Sequence, residues 1–175
     1  MATLDPRTLL LRPGKRIGRA SFLAGVLMLV AAGLLATAIL RWVGAGTAVG
    51  FWFYLAFLLL FPYMLYSVYG QRLHDIGRTV WPLTAALAAS FLILIGVMLA
   101  YGGAEYFTAF SQFDRKEAID PAVVDEIKTA YEAELANGGS RRAKTLLSAV
   151  FGALTLWLAF RPGTATDNKY GPPAT

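Results

Sequence analysis

The sequence predicts an all-α protein: a multi-pass membrane helical bundle with four transmembrane helices and an amphipathic helical insert between the third and the fourth. Three observations carry that reading. The 175 residues are 57% hydrophobic and only 15% charged, against about 45–50% apolar and about 25% charged in an average soluble domain. The apolar residues gather in runs of about 20, the length that crosses a hydrocarbon core of about 30 Å. Basic residues flank those runs, as topology determinants do.

The length fits a single membrane domain over 1–175, with spans at 21–40, 51–69, 80–101 and 144–160 and a hydrophilic insert at 102–143. Arg7, Arg12, Lys15, Arg16 and Arg19 precede the first span against Asp5 alone. An uncleaved helix is expected there rather than a secretory signal, whose apolar core runs only about 7–15 residues. The second span opens with Phe51, Trp52, Phe53 and Tyr54, rings suited to a headgroup interface. Pro62 lies inside it and kinks a helix unless the freed carbonyl finds another partner. Tyr63, Tyr66 and Tyr69 recur at helical spacing, which favours interfacial anchoring and packing over a polar path.

A short polar loop at 71–79 leads to the third span, whose Pro82 falls in the tolerant first turn. The fourth span is the weakest by length: its apolar run covers only 146–160, with Lys144 snorkelling. The pairs Ser148/Gly152, Ala149/Ala153 and Ala32/Ala36 have the small-xxx-small spacing of packed membrane helices. In the insert, Asp120 is a natural N-cap with Pro121 at the first helical position, and Asn137-Gly138-Gly139 reads as a stop. Val123, Val124, Ile127, Ala130, Tyr131 and Leu135 share one face, while Asp125, Glu126, Glu132 and Glu134 oppose them against Lys128. Anionic lipid repels such a helix, so docking on protein is expected.

With four spans, the basic N-terminus, Arg72 and Arg78, and Arg161 with Lys169 fall on one side, expected to be cytoplasmic. Arg141, Arg142 and Lys144 oppose that arrangement, although long inserts translocate largely regardless of charge.

Chemistry is sparse. With no cysteine and a single histidine, His74, disulfides, thiolate metal sites and His–His metal sites are excluded. The chain has no P-loop, no His-Glu-x-x-His and no Gly-x-Ser-x-Gly elbow. The apolar runs also lack the titratable groups that ion-coupled transporters place at membrane depth. The expectation is therefore a non-enzyme with no cofactor, no metal and no nucleic-acid partner.

Polar residues concentrate in three clusters that four spans would bring to one side. They are Arg16-Ile17-Gly18-Arg19, then Arg72-Leu73-His74-Asp75-Ile76-Gly77-Arg78, then Pro162-Gly163-Thr164 with Asn168-Lys169-Tyr170-Gly171-Pro172. If the second span continues as helix past Tyr69, Asp75 lies three residues from both Arg72 and Arg78 and could bridge them, with Gly77 ending the helix. The candidate site is Arg16, Arg19, Arg72, His74, Asp75, Arg78, Asn168 and Tyr170. It reads as an anion or lipid-headgroup site, since guanidinium pairs bidentately with phosphate. The reading preferred to it is that these arginines fix topology and pair with Asp75, holding the tail in place. His74 could titrate near neutrality, but alone beside one Asp it reads as a packing residue.

These three motifs, in this order and placement, resemble the domain-of-unknown-function 805 family of small bacterial inner-membrane proteins. The resemblance covers nearly the whole chain except the insert. Two departures stand out: Thr79-Val80-Trp81-Pro82 replaces a frequent Ser-Gly-Trp-Trp, and the 102–143 insert replaces a short link. The resemblance implies a multi-pass protein of the bacterial plasma membrane whose polar clusters work as one unit, with no catalytic role to transfer. Membrane lipids are the expected partners, with a membrane protein or a second copy of the chain beside them. A small passive transporter or channel is the alternative.

Overall fold

The computed structural model describes residues 5–44, 46–113 and 119–174. The part of the predicted insert at 114–118 lies outside the described residues. Those described are all-helical: α1 (Pro6–Leu11), α2 (Arg19–Val43), α3 (Ala48–Asp75), α4 (Trp81–Met98), α5 (Ala104–Ser111), α6 (Pro121–Glu134) and α7 (Ser140–Phe160). Four helical stretches, Arg19–Val43, Ala48–Asp75, Trp81–Ser111 and Pro121–Phe160, are long and apolar enough to cross a membrane. They carry exposed large apolar side chains, among them Leu27, Leu34 and Leu59 in the first two and Phe91 and Leu92 in the third, which suits a lipid surrounding. The chain divides into two compact units, one formed by 1–83 with 155–175 and the other by 84–154.

In the first unit, α1 is an element the periodicity did not announce. Asp5 caps it, accepting from Arg7 N at 3.1 Å, with Pro6 at its start. The Thr8 hydroxyl, bonded at 2.6 Å, and the Arg7 N–H hold the Asp5 carboxyl below the usual carboxylate range. Leu9 is buried and packs on Gly25 of α2, where an added Cβ would also lie 2.8 Å from Val68 Cγ1. Gly25 thus lets α2 and α3 approach closely, the role small residues have between membrane helices. Gly44, at φ 86°, ends α2 by donating to the Leu40 carbonyl at 3.0 Å, and Thr47 caps α3 through Gly50 N at 3.0 Å.

α3 is the longest element: its 28 residues run through Pro62 and on to Asp75. The predicted loop at 71–79 is therefore corrected, because Gln71, Arg72, Leu73 and Asp75 are helical and buried. Tertiary hydrogen bonding makes those polar positions worth burying, and propensity alone does not register that. The helix stops where Gly77 adopts φ 71°. There Arg78 N donates to Leu73 O at 2.8 Å and Gly77 N to His74 O at 3.1 Å, the paired bonds of a Schellman ending. At 1.5 Å per residue, α3 is about 42 Å long and outreaches a hydrocarbon core of about 30 Å.

The three tyrosines of α3 have separate surroundings. Tyr63 donates to Leu11 O at 3.0 Å, Tyr69 is buried with its hydroxyl 2.6 Å from Thr155 Oγ1, and Tyr66 is exposed.

In the second unit, the chain turns at Tyr101 (φ −120°, ψ 66°) and Gly102 (φ 88°) before α5. Asp120 caps α6 as expected, accepting from Ala122 N at 2.9 Å behind Pro121. On its apolar face Val124, Ile127, Tyr131 and Leu135 are half-buried, while Val123 and Ala130 are exposed. Tyr131 meets Tyr106 of α5 at 5.2 Å between ring centroids, so α6 docks on its own chain. The expected stop at Asn137-Gly138-Gly139 does not occur. A wide turn, with Ser140 N donating to Leu135 O, carries α6 directly into α7. Those glycines serve side-chain approach: a Cβ on Gly138 would lie 2.6 Å from Tyr101 Cε1, and one on Gly139 3.1 Å from Tyr101 Cβ. α7 has 21 residues, about 31 Å at 1.5 Å each, its first turns carrying Arg141, Arg142 and Lys144 ahead of the apolar run at 146–160.

A buried terminal junction as the candidate functional site

Within the first unit, the end of α3, the end of α7, the segment before α2 and the C-terminal tail converge on two arginines and one aspartate. Arg72 projects from the last turns of α3 and is fully buried at 0% exposure. Its guanidinium donates to Leu158 O at 3.1 Å and Arg161 O at 2.6 Å, the carbonyls at the end of α7. It also reaches Ile17 O at 3.4 Å and forms an ion pair with Asp75. A helix C-terminus leaves its last carbonyls without partners and carries partial negative charge, so a cation there satisfies both needs.

Arg16 is the second guanidinium on Asp75, with Nη2 3.4 Å from Oδ1 and a side chain only 2% exposed. Its other donors go to the tail: Thr164 O at 2.6 Å, Thr164 Oγ1 at 2.8 Å, Gly171 O at 2.7 Å and Thr166 O at 3.2 Å. The tail in turn caps α3. Thr164 donates to Asp75 O through its N–H at 2.9 Å and its hydroxyl at 3.0 Å. Asn168 Nδ2 donates to His74 O at 3.0 Å, while its Oδ1 accepts from Tyr170 N at 2.8 Å. Asn168 and Gly171 exchange backbone hydrogen bonds at 3.2 and 2.9 Å, closing a turn. That turn stacks the Tyr170 ring on His74, with centroids 3.9 Å apart and planes at 16°. Lys169 Nζ lies 5.0 Å over the Tyr170 ring.

The arrangement is reciprocal: Arg72 of α3 caps α7, and the chain that follows α7 caps α3. Each guanidinium offers five donors in a planar fork, which lets one side chain serve a carboxylate and carbonyls from separate segments. Arg16, Arg72 and Asp75 together carry one excess positive charge, offset by the two helix C-termini they face.

Of the predicted residues, Arg16, Arg72, His74, Asp75, Asn168 and Tyr170 meet here, with Arg19 at the rim, donating to Arg161 O at 3.3 Å. Arg78 does not join. The expected Arg72–Asp75–Arg78 bridge is corrected to Arg72–Asp75–Arg16. The reason is local: Gly77 breaks the helix between Asp75 and Arg78, and Arg78 is exposed. Sequence reasoning did not single out Gly163, Thr164 or Gln71 as site residues. A Cβ on Gly163 would collide with the Asp75 carboxylate, its carbon at 2.9 Å from Cγ. Gly163 and Thr164 sit in the tail motif itself, so that motif was the available signal. For Gln71 the signal was its helical register behind Ser67, to whose Oγ its Nε2 donates at 2.9 Å. Among the described residues no group of His, Cys, Asp or Glu is placed to hold a metal ion.

Four membrane-length apolar helices, with the end of α3 and both terminal segments locked by one buried ion-pair network, define a class of helical membrane protein. The chain belongs to the family described as protein of unknown function DUF805, whose model matches residues 10–172. That is the family the three motifs indicate, and the match takes in the whole junction. Comparisons with curated proteins and with solved structures give no match.

Proposed function

We propose that this chain is a non-enzymatic, multi-pass protein of the bacterial inner (plasma) membrane, with both termini cytoplasmic, and that its terminal junction holds a basic rim against anionic lipid headgroups. The observation that carries the reading is how the buried guanidiniums are used. Arg16 and Arg72 spend their donors on Asp75 and on backbone carbonyls, which makes them structural cations. Around them Arg12, Arg19, Arg78, Arg161 and Lys169 are exposed. Juxtamembrane cations of this kind each contribute about 1 kcal/mol of attraction to an anionic leaflet. Positive residues flanking the spans also favour the cytoplasmic side for both termini.

The test is lipid retention after purification in mild detergent, read by native mass spectrometry. Arg12→Gln, Arg78→Gln and Arg161→Gln combined should strip most retained anionic lipid without lowering the melting temperature. Undiminished retention, or a co-purifying protein lost in place of lipid, overturns the headgroup reading. Because the chain has no cysteine, Gly14→Cys and Asp167→Cys report the sidedness of each terminus cleanly. Both should resist an impermeant thiol reagent in intact cells and react after permeabilisation.

A further inference from the structure

Where α4 gives way to the insert, the second unit holds a cavity of about 510 Å³. Ile95, Met98 and Leu99 wall it on one side, Tyr106 and Phe107 of α5 and Tyr131 of α6 on the others. The backbone sets this gap. The chain bends at Tyr101 and Gly102, the Tyr101 ring lies against Gly138 and Gly139, and Tyr106 meets Tyr131. Those contacts hold α5 and α6 off the end of α4, so the space does not close by a side-chain shift. Left empty, its walls forgo dispersion contacts, and water is a poor filler where a wall is apolar.

What fills it follows from the surface it opens on. Phe91, Leu94, Ile95 and Met98 are exposed and recur at helical spacing, so one apolar stripe of α4 runs into the cavity. That stripe falls within the span at 80–101, and hydrocarbon is what covers such a surface. Lys128 and Glu132 also line the cavity, both exposed, opposite in charge and four residues apart on α6. They offset one another, so no net charge is asked of the occupant and the wall selects for hydrocarbon. Size narrows the choice further. An apolar cavity of about 150 Å³ holds one benzene, so about 510 Å³ holds roughly three such six-carbon units, the bulk of one long acyl chain and too little for two.

We propose that this cavity takes one acyl chain of a membrane phospholipid, which leaves the surrounding lipid along the stripe from Phe91 to Met98 and ends between Tyr106, Phe107 and Tyr131. The proposal rests on the membrane reading above and is independent of the basic rim, since it is the chain that is held and a headgroup of either charge serves. Two of the three walls come from the insert, so the insert has a use in this chain: it roofs a lipid site that a short link could not build.

The experiment places the full chain in nanodiscs with a trace of phosphatidylcholine carrying a diazirine at the end of one acyl chain. After irradiation, cross-links are mapped by peptide mass spectrometry. Labelling at 98–107 and 128–132 should exceed that around the exposed Leu27 and Leu59 by about tenfold, because a chain gripped on several sides gains contacts that a boundary chain, touched on one, does not. Met98→Trp and, independently, Ile95→Trp fill the cavity from exposed positions, so neither burdens a packed core. Each should lower the cavity label about tenfold while Leu27 and Leu59 keep theirs and the melting temperature holds. The combined Arg12→Gln, Arg78→Gln and Arg161→Gln chain should keep the cavity label, which separates this site from the basic rim. Even labelling of the cavity and the reference stretches, or a cavity label that survives both tryptophans, reduces the occupant to ordinary boundary lipid and overturns the proposal. Absence of label at Leu27 and Leu59 as well faults the membrane reading itself and takes this proposal down with it.

Discussion

Arg72 and Asp75 show how one buried pair can organise several segments. Removing one partner of a buried ion pair leaves an uncompensated charge and costs about 3–5 kcal/mol. Asp75→Asn keeps the shape but leaves Arg16 and Arg72 without a counter-charge. It should therefore destabilise the protein by about 3–5 kcal/mol in detergent unfolding. Asp75→Glu, too long for the space beside Gly163, should not restore it. Gly163→Ala makes a different point: its methyl group must displace the Asp75 carboxylate, a small-to-large change costing about 1–3 kcal/mol. Proteolysis of the tail, faster than wild type, would register it. At this scale the i,i+3 spacing of Arg72 and Asp75 was legible. Arg16 was legible as a site residue at the head of the first motif, but not as the partner of Asp75. Nothing in a one-dimensional pattern says that a residue 59 positions away will outcompete one three positions away.

Glycine separates what patterns predict from what packing decides among the elements. Asp5-Pro6 and Asp120-Pro121 are the same start signal, and both begin helices. The first went unused because the six-residue α1 is too short to show a period. Asn137-Gly138-Gly139 has the composition of a stop, yet the helix passes through it, because the glycines make room for Tyr101. Gly138→Ala should therefore destabilise α6 and α7 by about 1–3 kcal/mol, as overpacking does. In a Tyr101→Ala background most of that cost should vanish. A double-mutant cycle on hydrogen-exchange protection at 135–140 gives the coupling, and additivity of the two changes would sink the explanation.

Over the whole molecule, the tail decides how the chain is closed. Deleting 162–175 removes Thr164 and Asn168 from the carbonyls of Asp75 and His74, and Gly171 from Arg16. The loss should reach at least about 3 kcal/mol, the scale of a broken buried charge network. It should also be strongly non-additive with Asp75→Asn, since both changes disable one junction. A truncated chain that melts with the full-length protein would show the tail to be an ornament.

Sequence by itself determined the all-helical class and the four long apolar helices: runs of apolar residues near bilayer length, basic flanks and cap residues are local signals, because hydrophobic transfer and helix ends are governed by neighbours in the chain. It also brought the three polar motifs into one group. Tertiary structure alone decided the pairing inside that group and the continuation of α6 into α7. Those outcomes turn on which donor reaches which carbonyl across tens of residues, and that depends on packing distances that no spacing along the chain encodes.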